Sequence, residues 1–525
     1  MNHLSKRLLS VTMLLSISQM AATAHSGSSI FLPRAQTGTA HEVLGWSGAT
    51  HRFDNDDLYG SMKVSSEYNQ NFKRDDIGVY LAPTDSSTIV FGAINTAGTT
   101  NTTNVYALNF NLEDVTFKST VKLGGKTQSV VSHVSFFLGL DNVLEGMYAT
   151  AHAPLIWNRF EPTIDVQGTD TASAATITSG HLVSGTAPAP VYTTVAAAFQ
   201  GDKTVGDVLT TWSYGRIKGA QSKFGAGDIS LTLGYNFINK ENAHFGVGIR
   251  GSFGAGKASK AEYVFEPLTG HAGRHGIGAV VDGHAVLWDK DEDNQLSIHA
   301  NANAIHLFAN EQKRSFDVLT CGNWSRYLQV VKYTSVSTTT LSVYGGLDNM
   351  INIGTRTAKI GIDVAYDASL MLNYHYNNWN IEAGYNLGGH SKEKFEKFTG
   401  TPITANTFAL RNPAVNLTSA KAAVTTTAAY NTNMIQINGN IVGSTTGEFT
   451  TANLPTLALS DANLDTTSVL APSVMAHTLF GGVNYTFRDT NWAPSIGVFG
   501  KAELCGNDNN SLNQWGVGAQ FNLSF

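Results

Sequence analysis

The chain has 525 residues, with 34 lysines and arginines against 40 aspartates and glutamates, and a formal net charge of -6 at pH 7. This mild acidity argues against nucleic acid as a partner and predicts no sharp preference between cations and anions. The 51 glycines, 26 phenylalanines and 18 tyrosines, with only 14% charged residues, are unlike the composition of a helical enzyme. No segment beyond the N terminus offers the ~18 consecutive apolar residues of a membrane-spanning helix.

The first 24 residues have the pattern of a secretory signal. Lys6 and Arg7 precede the apolar run 8–17, and a small-residue cleavage site ends at Ala24. The run of about 10 residues is too short for the alternative, a membrane-anchoring helix, which needs about 20. We therefore expect residues 1–24 to be a signal peptide, cleaved after Ala24, and the mature chain to be exported.

Export would bring Cys321 and Cys505 into an oxidising compartment, where they could pair. The sequence does not fix the distance between them, so it leaves open whether they form a disulfide. Two cysteines do not in any case make a disulfide scaffold.

Residues 25–57 show no regular alternation, and three interpretations are open. They could form a periplasmic lead-in, a first short strand, or a segment inside the lumen of a barrel. We favour the periplasmic lead-in, because about 30 residues are too few for a globular plug domain.

An alternation of apolar and polar residues begins at residue 58 and recurs through the rest of the chain, which predicts β-strands. Most segments run for about nine to eleven residues, the length that a tilted strand needs to cross a membrane. Two more strands could lie near residues 328–331 and 341–344, so the best estimate is 16 strands within a range of about 14–18. The 14 clearest segments are residues 58–68, 104–112, 115–123, 130–140, 143–153, 228–238, 244–253, 276–288, 295–308, 359–376, 379–388, 476–487, 495–504 and 514–525.

The most regular strand is the last one. Its apolar face would carry Trp515, Val517, Ala519, Phe521, Leu523 and Phe525, and its other face Gly516, Gly518, Gln520, Asn522 and Ser524. This stretch resembles the closing strand of Gram-negative outer-membrane β-barrels, whose terminal aromatic residue is read by the barrel-assembly machinery. The resemblance implies that Phe521, Leu523 and Phe525 form an assembly signal.

The lengths of the connections agree with that resemblance. If Phe525 lies on the periplasmic side, counting strands backwards places six short connections there: residues 113–114, 141–142, 239–243, 289–294, 377–378 and 488–494. The longest connections all fall outside the cell. Short periplasmic turns with long extracellular loops are typical of outer-membrane barrels. We predict an all-β fold, a transmembrane antiparallel β-barrel over residues 58–525, in the cell outer membrane.

The overall pattern resembles the major outer-membrane porin families. A barrel of 14–18 strands has an interior too wide for its own side chains to fill, so a water channel follows. We expect a porin that transports ions and small hydrophilic solutes by passive diffusion. The alternatives are a surface adhesin or antigen on a barrel scaffold, and a substrate-specific channel for hydrophobic compounds. The expected partners are outer-membrane lipid, the assembly machinery and small solutes, as a monomer or a homotrimer.

Four charged residues oppose the apolar faces of their strands and should point into the channel: Lys63, Glu67, Arg250 and Glu382. They could define a selective constriction or form a scattered hydrophilic wall. Four aromatic residues are expected in the girdles at the membrane interfaces: Tyr235, Phe253, Trp379 and Phe487.

We expect no catalytic, cofactor-binding or metal-binding residues. Residues 289–293 resemble the start of a calcium loop, but Asn294 and Ala300 replace its required glycine and glutamate. His271 and His275 would lie about 13 Å apart in a strand or loop, too far for one metal ion. No intact serine-nucleophile motif is present.

Overall fold

Twelve long antiparallel strands pair side by side into a closed barrel in the computed structural model. The structure describes residues 27–32, 38–46, 48–51, 59–92, 105–112, 117–168, 192–204, 208–291, 294–319, 321–333, 344–405, 407–410, 459–488, 492–505 and 512–525. The barrel strands are β1 (Gly60–Asn71), β2 (Lys118–Gly139), β3 (Met147–Gln167), β4 (Ile229–Lys240), β5 (Ala243–Phe253), β6 (Gly276–Asp291), β7 (Asn294–Ser315), β8 (Thr355–Tyr376), β9 (Trp379–His390), β10 (Val474–Thr486), β11 (Ser495–Cys505) and β12 (Gln514–Ser524).

The first and last strands close the barrel. β1 and β12 pair antiparallel from Ser61 opposite Ser524 to Asn71 opposite Gln514. Closure removes the unpaired edge strands that an open sheet would have. Unpaired backbone N–H and C=O groups are too costly within the hydrocarbon region of a bilayer. The predicted all-β, antiparallel transmembrane-type barrel is therefore confirmed.

The two faces predicted for the last strand are also confirmed. Val517 and Phe521 are 52% and 42% exposed, whereas Gln520 and Asn522 on the opposite face are 4% and 3% exposed. Since strand side chains alternate between the two faces, the apolar residues point outward and the polar ones inward.

The predicted count of about 16 strands is wrong, because four of the expected strands are not separate strands of the barrel. Residues 104–112 contribute only a two-residue strand, Val105–Tyr106, followed by the 3-10 helix Ala107–Phe110. The next two predicted segments, 115–123 and 130–140, are not separate, because residues 118–123 and 130–139 belong to the single strand β2. The two strands sought between residues 308 and 359 are Gln329–Tyr333 and Tyr344–Asn349, which pair outside the barrel in a small sheet.

The connection expected after residue 123 would begin at Gly124 and Gly125, and these two glycines explain why the strand continues instead. Both glycines are inside β2, where other chain segments come close to the backbone. A Cβ on Gly125 would lie 2.4 Å from the ring of Phe160, and one on Gly124 would lie 2.7 Å from Thr163 Oγ1. At ~3.3 Å per residue, a strand of this length also extends far beyond a ~30 Å hydrocarbon layer.

The connections fall into two sets. Five short ones, after β2, β4, β6, β8 and β10, lie at one end of the barrel, which we call the turn end. There the backbone of Phe525 pairs with that of Gly60. The longer connections lie at the opposite end, the loop end. The sixth predicted turn, Glu113 and Asp114, lies outside the described residues.

The connections at the loop end fold into a packed layer, which we call the cap. It contains α2 (Asp75–Leu81), α3 (Val195–Ala198), α4 (Met350–Ile353) and the 3-10 helices Ser325–Tyr327 and Asp461–Asn463. Further short strands are Thr88–Gly92, Gln221–Ala226, Asp317–Val318, Glu393–Phe398, Phe408–Leu410 and Leu464–Asp465. None of the described helices is long and apolar enough to span a bilayer.

The cap has an apolar interior of its own. α2 begins with Asp75 and Asp76, which favour the positive end of a helix, and it buries Ile77, Tyr80 and Leu81 at helical spacing. Each large apolar side chain buried in this way contributes about 1.5–3 kcal/mol. The main cap core also includes the buried residues Phe91, Phe110, Phe199, Trp212, Trp324 and Tyr327.

Candidate functional site in the lumen

An N-terminal segment occupies the lumen of the barrel. Its described residues, 38–46 and 48–51, are called the plug, and they include the short helix α1 (Ala40–Val43). A helix of four residues is not stable alone in water, so the barrel wall must hold it. The described part of the predicted lead-in, residues 25–57, therefore contacts the inner wall, an arrangement that the sequence left open. Apolar residues of plug and wall pack together: Ala40, Val43, Leu44, Met371, Phe480 and Phe499.

Lys63 and Glu67 of β1 both contact the plug. The Lys63 ammonium donates hydrogen bonds to the backbone carbonyls of His41 and, at 2.8 Å, Leu44. Glu67 accepts a hydrogen bond from Lys501 at 2.9 Å and lies 3.3 Å from Nε2 of His41. Both side chains are almost completely buried, so their charges depend on these partners.

Arg250 and Glu382 hold the plug from other sides of the wall. Both Nη atoms of Arg250 donate to the Glu42 carboxylate at 2.7 Å, which makes a bidentate ion pair. Glu382 accepts the backbone N–H of Gly45, with 3.0 Å to each carboxylate oxygen. All four charged residues that were predicted to point into the channel thus contact the plug. They hold it in position and do not line an open, water-filled pore.

The start of α1 is fixed by a buried polar group. Thr39 donates from its backbone N–H and its hydroxyl to Asp367, at 2.8 and 2.6 Å. The amide of Asn386 donates to the same carboxylate at 2.6 Å and to the hydroxyl of Ser369 at 2.8 Å. These are side-chain contacts, so the plug is held without joining the sheet.

At its other end the plug meets a row of histidines. His244, His284 and His299 lie directly opposite one another on the neighbouring strands β5, β6 and β7. The ring of His51 stacks on that of His244, with centroids 4.0 Å apart and an angle of 12° between the planes. Asp282, two residues before His284, lies beside both rings. The sequence prediction missed this cluster.

Cavities lie on both sides of the plug. The one toward the loop end has a volume of about 100 Å³. We call it the upper pocket, and its lining is mixed. The larger apolar residues are Phe31, Phe160, Phe265, Leu268 and Leu512, and the charged ones are Glu67, Arg159, Glu266, Lys501 and Glu503. The cavity toward the turn end has a volume of about 460 Å³, and we call it the vestibule. It is lined mainly by polar residues, including His284, His299, Asn373, Glu382 and Arg488.

The upper pocket continues into the core of the cap. Phe31 packs against Tyr80 and Phe265, with ring centroids 5.5 and 5.6 Å apart. Elsewhere in the cap the buried carboxylate of Asp317 pairs with Arg326 at 2.6 Å. Burial raises the pKa of Asp317, although the adjacent guanidinium opposes this shift. The described residues at the loop end thus form a packed layer.

The outer surface of the barrel is apolar, with an aromatic belt near the turn end. The rings of Trp379 and Phe487 lie 5.0 Å on either side of Tyr485. Tyr235, Phe253, Trp379 and Phe487, the residues expected in the interface girdles, are all exposed on the outside. Large apolar side chains exposed to this extent suit a lipid environment.

The remaining predicted residues lie apart from the lumen. Phe525 is 46% exposed and packs against Trp492, with ring centroids 5.9 Å apart. Phe521 and Leu523 belong to the outward face of β12. Cys321 is buried in the cap, and the side chain of Cys505 lies outside the described part of the chain. Their pairing stays a prediction, as does the role of Phe521, Leu523 and Phe525 in assembly.

No protein-family model and no curated protein matches the chain. Similar solved structures include an outer membrane channel from Pseudomonas putida F1, with a TM-score of 0.35 and 9% identity over 89% of this chain and 95% of that chain. The monoaromatic hydrocarbon channel CymD has a TM-score of 0.29 and 10% identity over 96% and 99%. A FadL homologue from Pseudomonas aeruginosa has a TM-score of 0.28 and 8% identity over 94% and 99%. These scores are too low to transfer a function.

The structural class of the protein follows from its fold and its surface. A closed antiparallel barrel with an apolar outer surface and a polar interior is an outer-membrane β-barrel, and its place is the outer membrane. Its twelve strands and its plug separate it from the open porin of about 16 strands that the sequence pattern resembled.

Proposed function

We propose that the chain is a plugged outer-membrane channel for small, partly apolar molecules, and that passage requires the plug to move. The observation that carries this proposal is the position of the plug between two cavities of different character. On one side lies the upper pocket, where aromatic and aliphatic side chains are combined with charged ones such as Glu67 and Lys501. On the other side lies the larger, mainly polar vestibule. A molecule would pass from the upper pocket to the vestibule only after the plug had shifted.

The contacts of the plug are suited to such a movement. Barrel strands cannot separate without losing a whole ladder of backbone hydrogen bonds. The plug instead depends on a few discrete contacts, among them those from Lys63, Arg250 and Glu382. Segments held in this way belong to the parts of a protein that open at low cost relative to global unfolding.

The size and lining of the upper pocket support the substrate class. An apolar cavity of ~150 Å³ can bind benzene, so a pocket of about 100 Å³ is on the scale of one small aromatic molecule. Asn158 and Lys501 on its wall could orient a polar group. These features favour the channel for hydrophobic compounds over the passive porin, whose lumen would need to be open to water.

Planar-bilayer recording and direct binding together test this proposal. The purified mature protein should show rare, brief openings, and toluene should bind saturably to it in detergent. A variant that weakens the plug, Glu42→Met, should open more often. A matched control in the cap, Asp85→Ala, should behave like the unmodified protein, since Asp85 is exposed. Steady, large openings of the unmodified protein would indicate a porin. Silence of both proteins, without toluene binding, would contradict a channel.

A further inference from the structure

We propose that His51, His244 and Asp282 form a binding site for a divalent transition-metal ion that joins the plug to the barrel wall. His51 belongs to the plug, His244 to β5 and Asp282 to β6. Their ligand atoms all lie within 4.8 Å of one another. This site goes beyond the proposed function and does not depend on it.

The distances match those of a metal site. Asp282 Oδ1 lies 3.3 Å from Nε2 of His51 and 3.1 Å from Nε2 of His244. Ligands bound to Zn²⁺ at ~2.0–2.2 Å in tetrahedral geometry are separated by about 3.3 Å. A cation could bind between these atoms once the stacked rings of His51 and His244, whose planes differ by 12°, rotate so that both Nε2 lone pairs point at it.

The surrounding residues provide support of the kind that metal ligands need. The Tyr148 hydroxyl donates to Oδ2 of Asp282, which leaves Oδ1 facing the two histidines. The amide of Asn236 lies 3.0 Å from Nδ1 of His51, and its own oxygen is buried without a hydrogen-bond partner. Rotating this amide by 180° would place the oxygen against Nδ1–H of His51 and free Nε2 for a metal.

The charge of the cluster also favours a cation. Among the described residues, Asp282 forms ion pairs within 4.0 Å only with the two histidines. A buried carboxylate whose only ion-pair partners are imidazoles is short of positive charge unless a proton or a metal supplies it, because the Tyr148 hydroxyl is neutral.

A second cluster of potential ligands, formed by His41, Glu67 and His133, is less suited to bind a metal ion. Its ligand atoms are equally close to one another. Its carboxylate, however, already binds Lys501 at 2.9 Å, and the buried Lys63 ammonium lies nearby, hydrogen-bonded to the carbonyl of His41. These two lysines would repel a metal ion, so this cluster serves as the internal control.

The vestibule gives the first cluster a route from solvent. His51 and His244 line this cavity together with His284 and His299. Two imidazoles and one carboxylate suit Zn²⁺ and its neighbours in the transition series better than Ca²⁺ or Mg²⁺, which prefer oxygen ligands alone. Because one ligand comes from the plug, the bound ion would hold the plug against the wall.

The test uses mature protein without a histidine tag, treated with a chelator and held in detergent. Zn²⁺ should bind saturably with one ion per chain in calorimetry, and Co²⁺ should give the visible absorption bands of a nitrogen- and oxygen-ligated ion. His51→Ala, His244→Ala and Asp282→Asn should each weaken Zn²⁺ binding at least 100-fold. Tyr148→Phe, which removes only the supporting hydroxyl, should weaken it about 10–100-fold.

His133→Ala is the matched control, because it removes a buried imidazole from the other cluster. It should leave Zn²⁺ binding unchanged, and heat-modifiable gel mobility should show that every variant is folded. Absence of saturable Zn²⁺ binding up to 1 mM would overturn the proposal. So would equal Zn²⁺ affinity in the unmodified protein and in folded His51→Ala and His244→Ala variants, even if channel activity were present.

Discussion

Arg250 of the barrel wall and Glu42 of the plug form a bidentate ion pair, with both nitrogen–oxygen distances at 2.7 Å. The two side chains are only 4% and 14% exposed, so the pair is largely shielded from water. It joins the third residue of α1 to β5. Substitution of either residue should therefore change how firmly the plug is bound to the barrel wall.

Removing one partner of this pair should release the plug. Glu42→Met leaves the Arg250 guanidinium buried without its carboxylate, which costs about 3–5 kcal/mol. The fraction of time that the channel is open in a planar bilayer should rise sharply. The double variant Glu42→Met with Arg250→Met should recover most of the closed state, because two apolar side chains can replace a buried ion pair. The exposed pair of Lys122 and Asp75 gives the control, since Lys122→Ala should cost less than about 1 kcal/mol.

An unchanged open fraction in Glu42→Met would show that the ion pair does not hold the plug. A rise in the open fraction of Lys122→Ala would show instead that loss of charge anywhere loosens the barrel. The ion-pair geometry predicts that the open fraction rises only in the single variant Glu42→Met.

Binding in the upper pocket should depend on its apolar lining. Leu268 is 4% exposed there, and Leu268→Asp places a charge in the pocket. Toluene affinity, measured by equilibrium dialysis, should fall at least tenfold, since the lost apolar contact alone is worth about 1.5 kcal/mol or more. Leu209→Asp is the control, because Leu209 is 48% exposed in the cap and should leave the affinity unchanged. Equal loss in both variants would point to general unfolding rather than to the pocket.

The barrel class was predictable from the sequence because a strand has a period of two residues, which the inward and outward faces of a barrel impose along its whole length. The hairpin at Asn377 and Asn378 and the faces of β12 follow from this period. The strand count was not predictable, because the same alternation continues where β2 leaves the membrane. The predicted break after Leu123 begins at Gly124 and Gly125, but close packing rather than chain reversal requires these two glycines.

The arrangement of residues inside the lumen was predictable from the sequence only in part. Lys63, Glu67, Arg250 and Glu382 could be assigned to the inner face from their own strands. Their partners could not, because the plug lies far away in sequence and shows no period. The metal-ligand candidates come from three separate segments, and only the strand register brings His244 opposite His284. A histidine and an aspartate on the inward face of neighbouring strands were the available signal.

The terminal aromatic residue should matter for assembly in cells more than for the stability of the folded barrel. Phe525→Asp should reduce the amount of heat-modifiable, membrane-inserted protein while leaving signal cleavage intact. Phe487→Asp is the matched control, since Phe487 is similarly exposed, at 47% against 46%, and also lies at the turn end. Purified, unfolded samples of both variants should refold into detergent to the same extent. Normal insertion of the Phe525 variant in cells would argue against an assembly role.

The continuity of β2 through its two glycines can be tested by adding one methyl group. In Gly125→Ala the new Cβ would lie 2.4 Å from Phe160 Cε2 and 3.3 Å from Ile77 Cγ2, so the neighbours must shift. Such overpacking costs about 1–3 kcal/mol, and the temperature at which the folded gel band disappears should fall. Gly251→Ala is the control, because its nearest neighbour would be 3.6 Å away, and its effect should stay within about 0.5 kcal/mol. Phe160→Leu should partly restore the Gly125 variant by making room for the methyl group. If residues 124–129 formed a solvent-exposed loop instead, both alanine variants would behave alike, and a barrel with two separate strands in this region would have to be reconsidered.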